Sequence, residues 1–365
     1  MFSQIKYALG ALFTKRTTPV TTPNTFFVWE PCSHSHAEVV PGFAKYLLDL
    51  GFEVSVLVTP KRLDEGLFSR FTHERMTVNR MSQPAIVHYF KKHGLSGAKG
   101  VLITTARKIG AKSSYKTERN LFTQRAARQN VLLVEHDVKQ PADHGAVDRN
   151  IITLKEIRYK DIRTTVVNPH YFGNINITPK SAGIVKFITV GALRARRRNT
   201  TILIDAVASL HSQGIDNFTV TVIGRGDLRG VPAELRRYFD IKGRVDFSQL
   251  YSELEQADFF LALLDPDNPS HERYLTTGAS GNFQLIYGFA KPCLIAVKFA
   301  AAYGFNHRNS IVYTDNAGLA ASMLDAINMP QSDYQAKQDA VQELAASIHA
   351  HSLDNLRRLI DEGSP

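Results

Sequence analysis

Short, continuously apolar segments recur along this chain, and each is separated from the next by a stretch with helical character. Such segments are typical of strands buried on both faces of a parallel sheet, and their alternation with helices indicates right-handed crossovers. They lie at residues 26–29, 53–58, 100–103, 131–134 and 151–154 in the first half, and at 187–190, 218–223, 245–247, 259–264, 293–295 and 311–313 in the second. We therefore predict an α/β fold with two doubly wound parallel-sheet (Rossmann-like) domains that face a cleft.

The length of 365 residues allows two domains with separate cores. Linker-like composition near residue 178 predicts an N-terminal domain over residues 24–178 and a C-terminal domain over residues 179–330. Residues 1–23 begin with apolar side chains at helical spacing and end in a Thr- and Pro-rich stretch. This segment is predicted either to lie on a membrane as an amphipathic helix or to pack on the body of the protein. Residues 331–365 carry leucines at helical spacing and are predicted to form a helix that closes the fold.

A formal net charge of +10 requires an anionic partner or surface nearby. Part of this charge is local, because residues 107–128 contain several lysines and arginines and a single acid, Glu118. Two interpretations of this patch remain open: a solvated helix face, or a surface for phospholipid headgroups or a phosphate-bearing acceptor. Aromatic residues are not interleaved with the basic ones and no nucleic-acid signature occurs, so we expect no nucleic-acid partner.

Cysteine usage and hydropathy indicate the cellular compartment in which the protein is expected. The two cysteines, Cys32 and Cys293, lie far apart and show no metal-ligand spacing, which fits a reducing environment. No apolar run approaches the roughly 20 residues that span a bilayer. We therefore expect a cytoplasmic protein, at the inner face of the membrane if the N-terminal segment or the basic patch binds lipid.

Two separate segments of the second half have designs that suit an anionic ligand. The strand at 187–190 ends on Gly191 and runs directly into an arginine-rich turn with Arg194, Arg197 and Arg198. Arginine supplies positive charge and forked donors that match a phosphate group. Further on, a loop of small residues opens a helix, and the unpaired N–H groups at a helix start favour anions. The loop contains Thr277, Gly278, Ser280, Gly281 and Asn282. The alternative is a plain helix cap formed by Ser280 or Asn282. Two such segments together predict a diphosphate, and a nucleotide-sugar is the natural carrier of one.

The order of motifs in the second half resembles the donor half of type B glycosyltransferases, and it is most similar to the retaining family 4 group. The matching features are Val190-Gly191, the arginine-rich turn, a helix at 201–210, Ile223-Gly224-Arg225-Gly226, Val245-Asp246-Phe247, Ala257-Asp258-Phe259-Phe260, Pro269-Ser270-His271-Glu272 and Lys291-Pro292. In the first half, Val134-Glu135-His136-Asp137 and Val166-Val167-Asn168-Pro169 resemble the family's acceptor domain and domain connector. The resemblance covers about residues 25–326, strongly after residue 186 and weakly before it.

This resemblance implies transfer of a sugar from a nucleoside diphosphate sugar, UDP- or GDP-linked, to a hydroxyl of a glycan or lipid-linked acceptor. It implies retention of configuration and a diphosphate stabilised by protein groups, with no bound metal or other cofactor. The implied roles are diphosphate and nucleotide binding by Gly191, Arg194, Arg197, Arg198, Gly224, Thr277, Gly278, Ser280, Gly281, Asn282 and Gln284, sugar contacts by Glu272 and His136, and acceptor contacts by His34 and His36. The two acceptor-side histidines follow the first strand, and ligands gather at the carboxyl ends of strands.

The chain departs from the family pattern at three positions. Ala192 stands where the family has an arginine, so the diphosphate charge would come from the arginines that follow. Ser280 replaces the second glutamate of a pair whose first member is Glu272, which leaves Gln284 as the ribose-binding candidate. Ala290 replaces a glycine before Lys291-Pro292. These changes indicate a divergent branch with an altered donor site.

Other interpretations stay open. Asp265 and Asp267 form an Asp-x-Asp sequence. In type A glycosyltransferases such a sequence binds a divalent metal, but a turn is the favoured interpretation here. Gly224-Arg225-Gly226 begins a dinucleotide fingerprint, but Arg229 occupies its third glycine position. From other classes, a nucleotide-sugar epimerase on the same double fold and a catalytically silent sugar-nucleotide or glycan-binding protein are the alternatives.

Overall fold

The structure is a computed structural model, and it describes residues 19–31, 36–95, 97–106, 130–143, 151–160, 162–191, 199–225 and 231–362. The chain divides into two compact units, each with its own sheet. Unit 1 comprises Met1–Asn174 and His349–Pro365, and unit 2 comprises Ile175–Ile348. Among the described residues, no helix is long and apolar enough to cross a bilayer.

Unit 1 is built on seven parallel strands. The strands are β1 (Thr25–Trp29), β2 (Glu53–Val58), β3 (Met76–Arg80), β4 (Gly100–Ile103), β5 (Asn130–Val134), β6 (Ile151–Thr153) and β7 (Thr165–Val166). The described helices before residue 174 are a 3₁₀ helix (Ala37–Val39), α1 (Val40–Asp49), α2 (Pro60–Asp64), α3 (Gln83–His93) and α4 (Lys139–Asp143). The strand order is β3-β2-β1-β4-β5-β6-β7, and every pair is parallel. The order reverses between β1 and β4, which makes the carboxyl ends of these two strands the topological switch point of the sheet.

Unit 2 repeats this plan with six parallel strands. The strands are β8 (Val185–Val190), β9 (Phe218–Ile223), β10 (Phe239–Gly243), β11 (Phe259–Leu261), β12 (Cys293–Ala296) and β13 (Ser310–Tyr313). Its helices are α5 (Thr200–Ser212), α6 (Phe247–Gln256), α7 (Arg273–Thr276), α8 (Asn282–Gly288), α9 (Val297–Ala300), α10 (Gly318–Asn328) and the first part of α11 (Gln331–Glu362), with 3₁₀ helices at Ala233–Tyr238, Pro269–His271 and Ala301–Tyr303. The strand order is β10-β9-β8-β11-β12-β13, all parallel, so the switch point lies between β8 and β11.

Aromatic side chains fill both cores. In unit 1, Phe27 packs edge-on against Phe90 with ring centroids 5.4 Å apart, and the indole N–H of Trp29 donates to Gln83 at 2.8 Å. In unit 2, Phe187 of β8 stacks on Phe259 of β11 with centroids 5.8 Å apart. All five aromatic side chains are buried, and each contributes a large apolar area to its core. The prediction of two doubly wound sheets is confirmed.

The last helix, α11, belongs to both units along its length, with residues 331–348 in unit 2 and the remainder in unit 1. In unit 1 its side chains complete the backbone bonding of the β7 segment. Ser352 Oγ accepts from the backbone N–H of Asn168 at 3.0 Å, and Asn355 donates to the carbonyl of Val166 at 2.9 Å. Leu356 is fully buried. Residues 349–362 are therefore part of the core of unit 1.

The segment with linker composition is hydrogen-bonded to unit 2. The buried carboxylate of Asp258 accepts from the backbone N–H of Ser181 at 2.8 Å and from that of Lys186 at 2.7 Å. The hydroxyl of Thr178 donates to the carbonyl of Glu255 at 2.9 Å. These bonds give the Ala257-Asp258 motif a structural function, because it fastens the entry into β8.

Helix α8 ends in a turn that normally calls for glycine. Ala290 has a left-handed φ of 49°, its N–H donates to the carbonyl of Tyr287, and the N–H of Lys291 donates to that of Ile286. This is the hydrogen-bond pattern of a Schellman motif, with Ala290 in the left-handed position. The chain therefore keeps the turn that the family resemblance implies, although an alanine occupies its glycine position.

Three elements differ from the sequence prediction. The predicted strand at 245–247 is wrong, because Asp246 caps α6 by accepting from the N–H of Gln249 at 2.8 Å. The strand at this place in the sheet is β10, which ends at Gly243. Strands β3 and β7 were not predicted; β3 lies at a sheet edge and only one of its residues, Asn79, is buried, and β7 has only two residues. Within the N-terminal segment, residues 1–18 lie outside the described residues.

Two glycines bring the carboxyl ends of β8 and β9 into close contact. Gly191 and Gly224 have φ of 131° and 149°, and a Cβ on Gly224 would lie 1.7 Å from the carbonyl oxygen of Gly191. The N–H of Gly191 donates to Ile223 and that of Gly224 donates to Gly243, both at 2.8 Å. Only glycine fits at residue 224, because no side chain can occupy that space.

We expect Gly224→Ala to destabilise unit 2 by more than about 2 kcal/mol, since the added methyl must push the two strand ends apart. Gly214→Ala is the matched control: Gly214 also has a positive φ, 73°, but nothing lies within 4 Å of a Cβ there. Its cost should be only the left-handed backbone penalty of about 1 kcal/mol. Urea unfolding of both variants measures the difference, and equal losses would contradict the steric argument.

Candidate functional site

The arginine-rich turn of unit 2 leaves the sheet at Gly191 and re-enters the described structure at Asn199. Arg194, Arg197 and Arg198 lie outside the described residues, so their roles stay predictions. The end of the turn is firmly held. The side-chain oxygen of Asn199 caps α5 by accepting from the N–H groups of Thr201 and Ile202 at 3.1 and 3.2 Å. Its amide nitrogen donates to Asp265 at 2.7 Å.

The carboxylate of Asp265 joins three loops at the switch point of unit 2. Besides Asn199, it accepts from the backbone N–H of Asp267 and from the side chain of Asn316, both at 2.9 Å. Burial alone would raise the pKa of Asp265, but the hydrogen bonds from Asn316, Asp267 and Asn199 outweigh it and lower the pKa. The Asp-x-Asp sequence is therefore a hydrogen-bonded turn, as favoured from the sequence. Within the described part of the chain, no three His, Cys, Asp or Glu side chains are grouped to hold a metal ion.

The loop of small residues follows β11 and leads into α8, which places it at the carboxyl edge of the sheet. Helix α8 begins at Asn282, and its N-cap residue is Gly281, which has no side chain to cap the helix. The backbone N–H of Ser280 donates to the hydroxyl of Tyr303 at 3.3 Å. Thr277 Oγ1 and Asn282 Nδ2 are buried and have no hydrogen-bond partner among the described residues. Buried polar atoms without partners are uncommon in proteins, and each calls for an explanation.

Gln284 bonds to this loop through its own side chain. It is 1% exposed, and in the amide orientation that satisfies its surroundings its nitrogen donates to the carbonyls of Ser280 and Gly281 at 3.3 and 3.1 Å. The amide nitrogen therefore shapes the loop. Contact of Gln284 with a ribose stays a prediction.

Glu272 lies on the surface of unit 2, immediately before α7. Its carboxylate pairs with Lys298 at 3.0 Å, and the same ammonium group donates to the carbonyl of Pro266 at 2.7 Å. Lys298 thus connects the segment after β12 to both ends of the 266–272 loop. Sequence reasoning missed Lys298, because a lone lysine after a strand gives no signal until the fold places Glu272 against it.

In unit 1, the structure brings together two of the predicted histidines. The rings of His36 and His136 lie 4.1 Å apart between centroids, at an interplanar angle of 36°. His136 Nε2 is 2.8 Å from the carbonyl oxygen of Thr104. Burial and the neighbouring His36 lower the pKa of His136 to about 3, against the opposing effects of the Thr104 carbonyl and Glu38. His34 lies outside the described residues.

A buried carboxylate at the same switch point was not predicted. Glu30 directly follows β1 and is 2% exposed, and it accepts hydrogen bonds from the hydroxyls of Thr104 and Thr105, which directly follow β4. The backbone N–H of Thr104 donates to Trp29 at 2.9 Å. The only sequence signal for this arrangement is a glutamate at the end of an apolar strand, which by itself does not reveal its partners.

Comparison with known proteins shows which solved structures share this architecture. A scan against protein-family models finds no match, and a search of curated proteins finds none either. Among solved structures, the pneumococcal O-GlcNAc transferase GtfA, in complex with UDP and GlcNAc, matches with a TM-score of 0.59 at 11% identity, over 93% of this chain and 99% of that one. HepE from Anabaena, in complex with UDP-glucose, matches with a TM-score of 0.58 at 14% identity, over 92% of this chain and 99% of that one. AviGT4, a glycosyltransferase involved in avilamycin A biosynthesis, matches with a TM-score of 0.56 at 14% identity, over 94% of this chain and 98% of that one.

These matches extend over both units, and each unit has the parallel, doubly wound sheet that the sequence predicts. The fold that the motif resemblance implied is therefore confirmed: the chain has the GT-B fold of type B glycosyltransferases.

Proposed function

We propose that this protein is a glycosyltransferase that moves a sugar from a nucleoside diphosphate sugar to a hydroxyl of a glycan or lipid-linked acceptor. The observation that carries the proposal is the pair of buried, unpartnered polar atoms, Thr277 Oγ1 and Asn282 Nδ2, in the loop at the carboxyl edge of unit 2. A fold of this type binds its ligands at that edge. A hydroxyl and an amide N–H can both donate to phosphate or ribose oxygens.

The turn between Gly191 and Asn199 supplies the positive charge in this proposal. Gly191, from which the turn starts, lies against Gly224 at the same edge of the sheet. Arg194, Arg197 and Arg198 then neutralise the charge that develops on the leaving diphosphate. Donors aimed in advance at developing charge lower the barrier, and this electrostatic contribution is often the largest one in catalysis. Transfer in this scheme needs no bound metal.

Glu272 is the proposed contact for hydroxyls of the donor sugar. A carboxylate accepts hydrogen bonds from hydroxyls, and the ion pair with Lys298 fixes its position at the surface of unit 2. Retention of configuration follows from the resemblance to the retaining family 4 group. His136 in unit 1 is the second proposed contact for the reacting sugar, and His34 and His36 are the proposed acceptor-side residues.

The donor in this proposal is a UDP- or GDP-sugar. Support for UDP comes from HepE and GtfA, whose structures contain UDP-glucose and UDP. The net charge of +10 supports an acceptor on or near an anionic membrane surface, approached through the N-terminal segment and the basic patch at 107–128. In this proposal the protein works in the cytoplasm, at the inner face of the membrane.

The donor site is tested by calorimetric titration of the full chain with UDP, GDP, ADP and dTDP, with and without Mg²⁺. We expect one nucleoside diphosphate to bind equally well in both conditions. The double variant Arg197→Ala, Arg198→Ala should bind it at least about 100-fold more weakly, because each of the two lost charge-assisted hydrogen bonds costs about 1.5–3 kcal/mol. Wild-type affinity in this variant would contradict the assignment of the arginines.

The matched control is Arg357→Ala, Arg358→Ala, which removes another adjacent pair of arginines from the exposed side of α11. It should leave the nucleotide affinity unchanged. Incubation of the bound sugar nucleotide with candidate acceptors then separates the functions. Transfer supports the proposal, conversion of the donor to its epimer without acceptor identifies an epimerase, and binding without turnover identifies a silent protein.

The role of Glu272 is tested through its ion pair. Lys298→Met should change the free energy of unfolding by less than about 1 kcal/mol, because both partners are partly exposed. It should nevertheless raise the KM for the donor sugar, as should Glu272→Gln, while the affinity for the free nucleotide stays unchanged. Lys242→Met is the control, since Lys242 also bridges two carboxylates, those of Asp240 and Glu253. A donor KM that moves equally in all three variants would contradict a specific role for Glu272.

A further inference from the structure

An ion pair at the carboxyl edge of unit 2 has more hydrogen-bonding capacity than the protein itself uses. Lys298 follows β12, and its ammonium group pairs with the carboxylate of Glu272 at 3.0 Å and donates to the carbonyl of Pro266 at 2.7 Å. An ammonium group carries three N–H donors, so at least one remains after these two contacts. The side chains of Lys298 and Glu272 are 39% and 51% exposed, so a ligand can reach both of them.

The turn that holds the ammonium group is itself fixed. Pro266 lies between Asp265, whose carboxylate is buried, and Asp267, whose backbone N–H donates to that carboxylate at 2.9 Å. The backbone N–H of Asp265 donates to Nδ1 of the buried His271 at 2.8 Å. A lysine anchored to such a turn has less freedom to lose when it binds a ligand than a lysine that extends into solvent. Lys298 is therefore prepared for a contact in one place.

One turn of helix α7 joins Glu272 to the loop of small residues. The N–H of Leu275 donates to the carbonyl of Glu272 at 2.9 Å. The N–H groups of Thr277 and Gly278 donate to the carbonyl of Arg273 at 3.0 and 2.8 Å. Thr277 and Gly278 belong to the loop that carries proposed contacts for the nucleotide. The ion pair therefore borders this loop at the carboxyl edge of the sheet, where ligands of this fold class bind.

An ammonium N–H beside a carboxylate oxygen matches the chemistry of two neighbouring sugar hydroxyls. Hydroxyls on adjacent ring carbons lie about one hydrogen-bond length apart, which is also the separation of the two charged groups, 3.0 Å. A hydroxyl can either accept or donate, so one hydroxyl accepts from the ammonium group while its neighbour donates to the carboxylate. The two charges of the pair cancel, so it offers no net attraction to a charged sugar.

We propose that Lys298 is a specificity-determining residue that donates a hydrogen bond to one hydroxyl of the donor sugar, while Glu272 accepts from the hydroxyl on the adjacent carbon. The substrate class is then a neutral hexose with two adjacent free hydroxyls at this place. The inference rests on the proposed function for its ligand. It adds a direct contact by Lys298, which otherwise only holds Glu272 in position.

The first test is calorimetric titration of the full chain with UDP-glucose and GDP-mannose, each compared with its free diphosphate. We expect Lys298→Met and Glu272→Gln each to bind one of these sugar nucleotides about 10-fold more weakly, with the affinity for its free diphosphate unchanged. Lys242→Met is the control and should alter neither affinity, because Lys242 bridges two carboxylates elsewhere in unit 2.

The outcomes of this titration separate the two proposals. If neither diphosphate binds, the proposed function fails and this inference fails with it. If a diphosphate binds and Lys298→Met leaves the affinity for its sugar nucleotide unchanged, or weakens the free diphosphate equally, this inference alone is overturned.

The double variant Lys298→Met, Glu272→Gln separates direct contact from positioning. If Lys298 only held Glu272 in place, its loss would add nothing once the carboxylate had been replaced. We expect the double variant to bind the sugar nucleotide about 10-fold more weakly than Glu272→Gln alone. Equal affinities of these two variants would overturn the contact between Lys298 and the sugar.

Sugar analogues identify the direction of each hydrogen bond, because fluorine on carbon can accept a weak hydrogen bond but cannot donate one. In the sugar nucleotide that binds, we expect one ring position at which fluorine in place of the hydroxyl weakens binding to wild type but not to Glu272→Gln. At an adjacent position, complete removal of the hydroxyl should weaken binding to wild type but not to Lys298→Met. Sensitivity of both variants at the same position, or at positions that are not adjacent, would overturn the proposed pair of contacts.

The neutral class of the sugar is tested by comparing UDP-glucuronic acid with UDP-glucose. We expect weaker binding of UDP-glucuronic acid, because its carboxylate meets the like charge of Glu272. Tighter binding of UDP-glucuronic acid that is lost in Lys298→Met would show that Lys298 pairs with a sugar carboxylate, and it would overturn the assignment to a neutral hexose.

Discussion

A buried carboxylate at each strand reversal is the constraint on which the candidate sites depend. At a switch point the chain leaves two adjacent strands in opposite directions, so neighbouring loops separate and their polar groups need partners other than the sheet. In unit 2 Asp265 meets this need by binding Asn199, Asn316 and the backbone of Asp267. Because Asn199 also caps α5, one carboxylate fixes the end of the arginine-rich turn and the start of the helix behind it. The loop that carries the charge is thereby fixed at its carboxyl-terminal end by an uncharged residue.

In unit 1 the bridging carboxylate follows the other of the two strands at the reversal. Its carboxylate, Glu30, follows the first strand and binds the hydroxyls after β4, whereas Asp265 follows β11 and binds the residue that ends the turn after β8. The two sheets share one strand order, and the bridging carboxylates are placed on opposite sides of the reversal. The consequence for chemistry differs. In unit 2 the bridge reaches Asn199, which ends the arginine-rich turn, and in unit 1 it reaches Thr104, whose carbonyl lies 2.8 Å from His136 Nε2.

The fold was predictable where buried parallel strands are visible in the sequence as apolar runs. This worked for β1, β8 and β9. It failed for β10, an edge strand in which Asp240 and Lys242 break the apolar run, and the nearby segment Val245-Asp246-Phe247 was predicted as the strand instead. In the sites, the sequence indicated single side chains but not their partners. His136 and Glu272 were predicted, whereas Thr104 and Lys298 act on them through tertiary contacts that no spacing encodes. Ala290 could not have been predicted from its residue type, because alanine rarely adopts a left-handed backbone conformation. The hydrogen bonds of the turn hold it in that conformation.

The division of α11 between the two units affects the order in which the units can fold during synthesis. Unit 2 is continuous in sequence, but unit 1 is interrupted after residue 174 and resumes only at residue 349. The N–H of Asn168 and the carbonyl of Val166 find their partners on Ser352 and Asn355, which are synthesised almost two hundred residues later. A nascent chain therefore has the complete sequence of unit 2 available while the sheet of unit 1 still lacks the helix that covers it. The unit whose synthesis begins first is the last whose fold can be completed.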